Sequence, residues 1–305
     1  TDAAGARAMI AAMQARTSRA FNVNLFVHED PTPDAAREAA WREALRPLFA
    51  GFDAQPPEQL RTIYRSFAHD DDMLALLVET APAVVSFHFG LPDAARIAAL
   101  KQAGIILLST ATSLDEALAA RAAGVDAVVA QGYEAGGHRG VFDPDAPDDQ
   151  LGVLALTRLL VQKSGLPVIA AGGIMDGQGV RAVLDLGAVA AQLGTAFIAC
   201  PESAADEAYR AALQGEGAAH TTMTRAISGR PARSLRNRFT LWGQGDVPQA
   251  AAYPIAYDAG KALNAAAKAR GEGGFGAQWA GQGAPLARSL PAAGLMAALQ
   301  AEMAG

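Results

Sequence analysis

The stretch QGYEAGGHRG at 131–140 places one histidine, His138, among four glycines and directly after the apolar run VDAVVA. Glycine at 136, 137 and 140 lets the backbone lie flat against a large planar group. An imidazole at the end of a buried strand can hold an anion or move a proton near neutral pH. A lone loop histidine is ordinarily a surface residue; its position after a strand end favours a site role. Two further segments fit anion binding. In AAGGIMDGQG (170–179), Gly172 and Gly173 expose backbone N–H groups just before a helix, whose N-terminal dipole favours negative charge. In QLGTAF (192–197), Gln192, Gly194 and Thr195 offer an amide, backbone donors and a hydroxyl. Either loop alone reads as a tight turn, but together, after consecutive strands, they match a phosphate cup. Gln131 and Asn24 can each present an amide to a ring edge, although an inward Asn24 is nearly as well explained as a satisfied polar residue. Tyr253, Tyr257 and Lys261 are spaced by four, so a helix would put them on one face, either as an exposed stripe or as a pocket lining with an ammonium for a small anion. Ser86 and His88 could also reach the same mouth.

These residues need a scaffold. The strand candidates are 22–27, 83–89, 104–109, 125–130, 166–171 and 189–198, all nearly continuous apolar runs, which marks parallel strands buried on both faces. Helical stretches alternate with them: 3–16, 92–103, 113–123, which opens with a Ser113/Glu116 capping box, and 179–188. Strand–helix repetition gives a parallel sheet, and the short regular units favour a closed TIM (β/α)8 barrel over an open doubly wound sheet. Six strands are visible where eight are needed. The shortfall lies at the front, so the first two βα units are expected to be missing from this sequence. The expected division is a barrel over 1–200 with an inserted segment at 28–82, containing helices PDAAREAAWREALRPLF and PEQLRTIYRSF, and a mainly helical subdomain over 201–305 that packs over the barrel mouth.

The 305 residues are 51% hydrophobic with a formal charge of −6, which argues against a general nucleic-acid or membrane-surface role. The local run Arg225, Arg230, Arg233, Arg236, Arg238 reads as a solvated or salt-bridged face. A single cysteine, Cys200, rules out an internal disulfide, reads as a packed side chain and suits a cytoplasmic protein. No signal peptide or membrane-spanning run is visible. There is no HExxH, CxxC or clustered carboxylate set for a metal, no GxSxG elbow, and no Walker or GxGxxG spacing.

SFHFGLP (86–92), GYEAGGHRG (132–140), AAGGI (170–174), QLGTAF (192–197), SGRPAR (228–233), the Tyr253–Tyr257–Lys261 triplet and WAGQGA (279–284) occur in the order of motifs in the nitronate monooxygenase family, formerly 2-nitropropane dioxygenases, and the chain resembles its class I branch. The resemblance implies non-covalent FMN. Carried over, Asn24, Gln131, Gly136, Gly173, Gln192, Gly194 and Thr195 would contact flavin or its phosphate, with Gly172 and Leu193 beside them. His138 would be the active-site histidine, sharing the substrate with Tyr253, Tyr257 and Lys261. The implied reaction takes a nitronate such as propionate 3-nitronate, with O2, to a carbonyl compound and nitrite, starting with one-electron transfer from the anion. The family's opening QAPM-like strand is absent from this sequence, and FNVNLFV matches its third strand. The expected partners are the anionic nitronate and O2, with no nucleic acid or membrane, and the expected state is a monomer or homodimer. Competing readings are an FMN-dependent enoyl-acyl-carrier-protein reductase, which shares the glycine-histidine loop, an NADH:quinone reductase of the same superfamily, and a flavin-free barrel without catalysis.

Overall fold

A computed structural model describes residues 1–304. In chain order the main elements are α1 (Ala3–Gln14), β1 (Asn22–Phe26), α2 (Ala35–Ala50), α3 (Asp71–Thr80), β2 (Val84–His88), α4 (Ala94–Gln102), β3 (Ile106–Ala111), α5 (Leu114–Ala123), β4 (Ala127–Gln131), β5 (Gly137–His138), α6 (Val153–Lys163), β6 (Val168–Ala171), α7 (Gly177–Asp185), β7 (Ala190–Gln192), α8 (Glu207–Gln214), β8 (Thr221–Thr224), β9 (Ala232–Leu235), α9 (Arg238–Trp242), α10 (Ile255–Ala269) and α11 (Ala292–Ala304).

Six strands form one parallel sheet in the order β1-β2-β3-β4-β6-β7, with in-sequence neighbours and helices between them. They curl into a half-barrel. β1 and β7 each pair with a single neighbour, as expected for six of eight barrel strands. The outer side of β1 borders a cleft of about 990 Å³ against α1 and the 62–73 segment. The strands form because their residues can be buried twice. Val85, Phe87 and Leu107 pack outward against Leu76 and Leu77 of α3 and Leu100 of α4, and Val128 and Val168 against Ala117 and Ala120 of α5 and Leu156 and Leu160 of α6. Inward residues follow the two-residue period: Asn22, Asn24 and Phe26 from β1, Ser86 and His88 from β2, Thr110 from β3, Val129 and Gln131 from β4, Ala171 from β6 and Gln192 from β7 all line one cavity.

Four local expectations fail for identifiable reasons. The last strand stops at Gln192, because Gly194 opens a 3₁₀ turn at Thr195–Phe197. PEQLRTIYRSF is not helical; its chain is extended or irregular up to a single 3₁₀ turn at Phe67–His69, because Tyr64 and Phe67 are each drawn to a different apolar surface. The capping box is half made: Ser113 Oγ accepts from Glu116 N–H, but the Glu116 carboxylate turns away to Thr112 and to Phe142 N–H. The region after 203 is not purely helical, since β8 and β9 join β5 in an antiparallel sheet of order β5-β9-β8. Their alternating TTMT and ARSL sequences are too short and polar to register as strands without that partner.

A second core packs α2 against α9 and α10. Trp41, Leu45 and Phe49 meet Phe239, Ile255, Ala259 and Leu263. The inserted helix therefore belongs with the C-terminal elements in packing, although it sits between two barrel strands in sequence. Cys200 is buried, as expected of a packed side chain. Among the described residues no helix is long and apolar enough to cross a membrane, and no cluster of metal-ligating groups occurs.

Candidate active site

A cavity of about 500 Å³ opens at the C-terminal ends of the six strands, within the size range of small-molecule and cofactor sites. It is bounded by the 135–138, 171–175, 192–195 and 279–283 segments and by Tyr64 and Tyr257. None of the side chains on its wall is charged.

β5 puts His138 there. The strand pairs antiparallel with β9, Gly137 opposite Arg233 and His138 opposite Ala232. Gln131 holds the other edge: its Nε2 donates to the His138 carbonyl at 3.0 Å, and its Oε1 accepts from Gly140 N–H at 2.8 Å. Gln131 thus braces the loop from the end of β4 while still lining the cavity. His88 Nε2 lies 3.2 Å from the same carbonyl. A carbonyl only accepts, so His88 carries its proton on Nε2, and its Nδ1 accepts from the Thr110 hydroxyl at 2.9 Å. The His138 backbone is therefore held on both sides without using its ring.

The ring sits among aromatic groups: Trp279, Phe89, Tyr253 and Tyr257, at centroid distances of 5.1, 5.5, 5.5 and 6.1 Å. Loss of hydration pushes its pKa down to about 3, with His88 and Arg230 adding to the shift. His88 is likewise pushed down to about 4, chiefly by burial. Both are neutral at pH 7. In the unfolded chain the same groups bind protons below about pH 6.5. Between pH 6.5 and 4 the unfolded state therefore holds more protons, and folding stability falls as pH falls, by up to about 1.4 kcal/mol per pH unit for each histidine. Urea midpoints measured at pH 7 and pH 5 are expected to show a lower value at pH 5, with part of the difference lost in His88→Phe.

Phe89 was not anticipated from the sequence and is central. It follows β2, is 2% exposed, and has φ +80°, a left-handed conformation costing a bulky residue about 1–3 kcal/mol. The turn it makes sets its ring edge-on to His138 and under the Arg230 guanidinium, which lies 4.3 Å from the ring centroid. Of the basic run expected as a solvated or salt-bridged face, Arg225 and Arg238 are ion-paired and Arg236 is exposed, but Arg230 and Arg233 are buried. Arg230 donates to the Val141 and Phe142 carbonyls, and Arg233 to the Tyr133 carbonyl, so they fasten β9 to the histidine loop. Arg139 is also buried, paired with Asp148 at 2.8 Å and donating to the Gln131 carbonyl.

On the opposite wall, Gly172 and Gly173 take φ of +120° and +70° after β6, a geometry glycine allows at little cost. The N–H groups of Gly173, Gly194 and Thr195 have no partner within the chain among the described residues. Gly173 and Gly194 are exposed, Thr195 is half-buried, and all three line the cavity, so their free amide donors are available to an anionic ligand there. The α7 N-terminus does not contribute. Asp176 Oδ1 accepts from Gly179 N–H at 2.7 Å and Glu302 Oε2 from Gly177 N–H at 2.8 Å, so protein carboxylates already fill it. Thr195 Oγ1 accepts from Gly281 N–H at 3.0 Å, which leaves its own proton to donate. Asn24 Oδ1 accepts from Ser86 Oγ at 2.7 Å, and Asn24 lines the cavity. Gly136 and Gln192 also line the cavity; Leu193 points into an apolar cluster beside it.

The tyrosine–lysine triplet is divided. α10 begins at Ile255, so Tyr253 precedes the helix and shares no helical face with the other two. Its ring is buried behind His138 and is not on the cavity wall; Tyr257 is. Lys261 is exposed, outside the cavity, with its ammonium on the hydroxyl of Tyr64 and 5.2 Å from the Tyr257 ring centroid. Tyr64, hidden in the expected helix, is the lysine's link to the site.

Parallel strands in sequence order, with glycine turns and unpaired amide donors after the last two and a half-buried, neutral histidine lining the same cavity, are the arrangement of a barrel enzyme. The nitronate monooxygenase family profile matches residues 2–302, and the chain belongs to that family. It is 61% identical over 303 residues to the nitronate monooxygenase of Paraburkholderia phytofirmans, covering 99% of this chain and 83% of that protein. It is 55% identical over 301 residues to that of Pseudomonas aeruginosa, covering 98% and 86%. Among solved structures, nitroalkane oxidase from Streptomyces ansochromogenes aligns with TM-score 0.90 and 41% identity over all of this chain and 86% of that one. FabK from Thermotoga maritima aligns with TM-score 0.70 and 25% identity over all of this chain and 82% of that one.

Proposed function

We propose that the protein holds FMN in this cavity and oxidises anionic alkyl nitronates, such as propionate 3-nitronate, with O2 to a carbonyl compound and nitrite. The observation carrying this reading is the pairing of unpartnered amide donors at Gly173, Gly194 and Thr195 with a neutral, aromatic-walled His138 across one cavity lacking charged side chains. The residues present fit the group. Gly172, Gly173, Gly194 and Thr195 would hold the phosphate, with Leu193 packing beside them, and Asn24, Gln131, Gly136 and Gln192 would border the ring. When bound, FMN supplies the electron acceptor. His138 would then lie beside the nitronate group, able to orient the substrate and to hold or move a proton in the cavity. Tyr257 and Tyr64 bound the substrate space. Lys261 acts through the Tyr64 hydroxyl, strengthening it as a donor to an anion. Tyr253 holds the His138 ring from behind. The barrel over 1–200 carries the cofactor, and the 201–305 unit, joined by α2, covers its mouth.

The test is anaerobic mixing of the FMN-loaded protein with propionate 3-nitronate and, separately, with NADH. The nitronate should bleach the flavin absorbance, and readmitted O2 should restore it with release of nitrite. Bleaching by NADH alone would point instead to a reductase and sink this reading.

A further inference from the structure

Ser228 lies outside the cavity, behind the histidine, and is 1% exposed. Its Oγ is 2.8 Å from His138 Nε2 and 3.3 Å from the Arg230 carbonyl. The serine has one proton for two neighbours. If it donates to Nε2, the imidazole proton sits on Nδ1 and the Arg230 carbonyl, which has no other donor among the described residues, is left unpaired in a residue only 4% exposed. If it donates to the carbonyl, Nε2–H donates to Oγ and all three groups are satisfied. An unpaired buried polar group costs about 1–3 kcal/mol, which decides between the two arrangements. His138 Nδ1 has no protein partner and is not among the buried unpartnered atoms, although His88, Arg230, Tyr253 and Tyr257 surround the ring, so this nitrogen is open to the cavity that His138 lines.

We propose that Ser228 is a positioning residue that fixes His138 as the Nε2–H tautomer, so that Nδ1 faces the substrate as a proton acceptor and not as a hydrogen-bond donor. This rests on the reading of the cavity as the catalytic site. It adds a division of labour: a nitronate's oxygens must be bound by other donors, among them Tyr64, while Nδ1 can take a proton from solvent in the cavity. On taking one, the imidazolium keeps its Nε2–H bond to Ser228, now charge-assisted and stronger.

The experiment is ¹⁵N–¹H correlation of histidine-labelled protein at pH 7.5 without substrate, with His138→Asn used to assign the resonance. Wild type and Ser228→Thr, which keeps the hydroxyl, should show Nδ1 in the unprotonated and Nε2 in the protonated shift range. Ser228→Ala should move both shifts toward the opposite or a mixed tautomer. A wild-type Nδ1 in the protonated range overturns the proposal even if no variant folds, and so does a Ser228→Ala spectrum unchanged from wild type. Because the tautomer is read without turnover, this result and the nitronate-bleaching result can fail independently.

Discussion

His138→Asn is expected to lower nitronate turnover by about 10²–10⁴-fold, the range that a positioned acid–base group contributes, while FMN remains bound. The asymmetry follows from how the loop is held. Gln131, His88 and β9 all fasten the His138 backbone, and none of them uses its ring. The unpartnered amides at 173, 194 and 195 lie on other segments. Asparagine can keep one hydrogen bond to Ser228, but it fills less of the aromatic box of Phe89, Tyr253 and Trp279 and cannot take up a proton. Steady-state nitrite release against nitronate concentration, together with the flavin spectrum of the purified variant, checks both halves. A loss confined to kcat places the ring in the chemical step, whereas a rise in KM alone makes it a binding group. Turnover within threefold of wild type would remove His138 from the chemistry.

The sheet was legible because parallel strands buried on both faces write themselves as apolar runs, and the glycine turns because only glycine tolerates those backbone angles. The histidine was legible through its four glycine neighbours. What stayed hidden depends on distant partners. β9 exists as a strand because β5 and β8 flank it, and that contact is what turns Arg230 and Arg233 inward. Tyr64 reaches the cavity because its segment is pulled straight between two surfaces, where its local sequence asks for a helix. The four-residue spacing of Tyr253 and Tyr257 promised a shared face, but the helix starts between them, after Pro254. Phe89 carries no sequence mark of its positive φ other than the glycine that follows.

Gly136→Ala and Gly194→Ala should fail in opposite ways, although both glycines line the same cavity. A Cβ on Gly136 would stand 2.4 Å from Gly281 N and 2.5 and 2.8 Å from the carbonyl carbon and Cα of Ala280. All three are backbone atoms that cannot swing aside. The 280–282 segment is itself tied down, by Gly281 N–H to Thr195 Oγ1 and by Gln282 N–H to the Glu134 carbonyl. Relief must therefore come either by pulling Thr195 out of the cup or by pulling Gly137 and His138 away from β9. Overpacking of this kind costs about 1–3 kcal/mol in an adaptable core, and this site sits at or above the upper end because no side chain can yield. A melting temperature lower by roughly 6–12 °C and a protein purified with little or no flavin are expected, on about 2–4 °C per kcal/mol for a large domain. Gly194 has nothing within 4 Å of its added Cβ and a φ of −111°, which alanine adopts freely. Alanine there should leave the melting temperature of the flavin-free protein within about 1 °C of wild type and weaken FMN binding, because the methyl group enters the space beside the free amides. If the two variants instead lost flavin and stability in parallel, the separation between packing glycine and ligand-facing glycine would not hold, and the 192–195 turn would be a structural turn only.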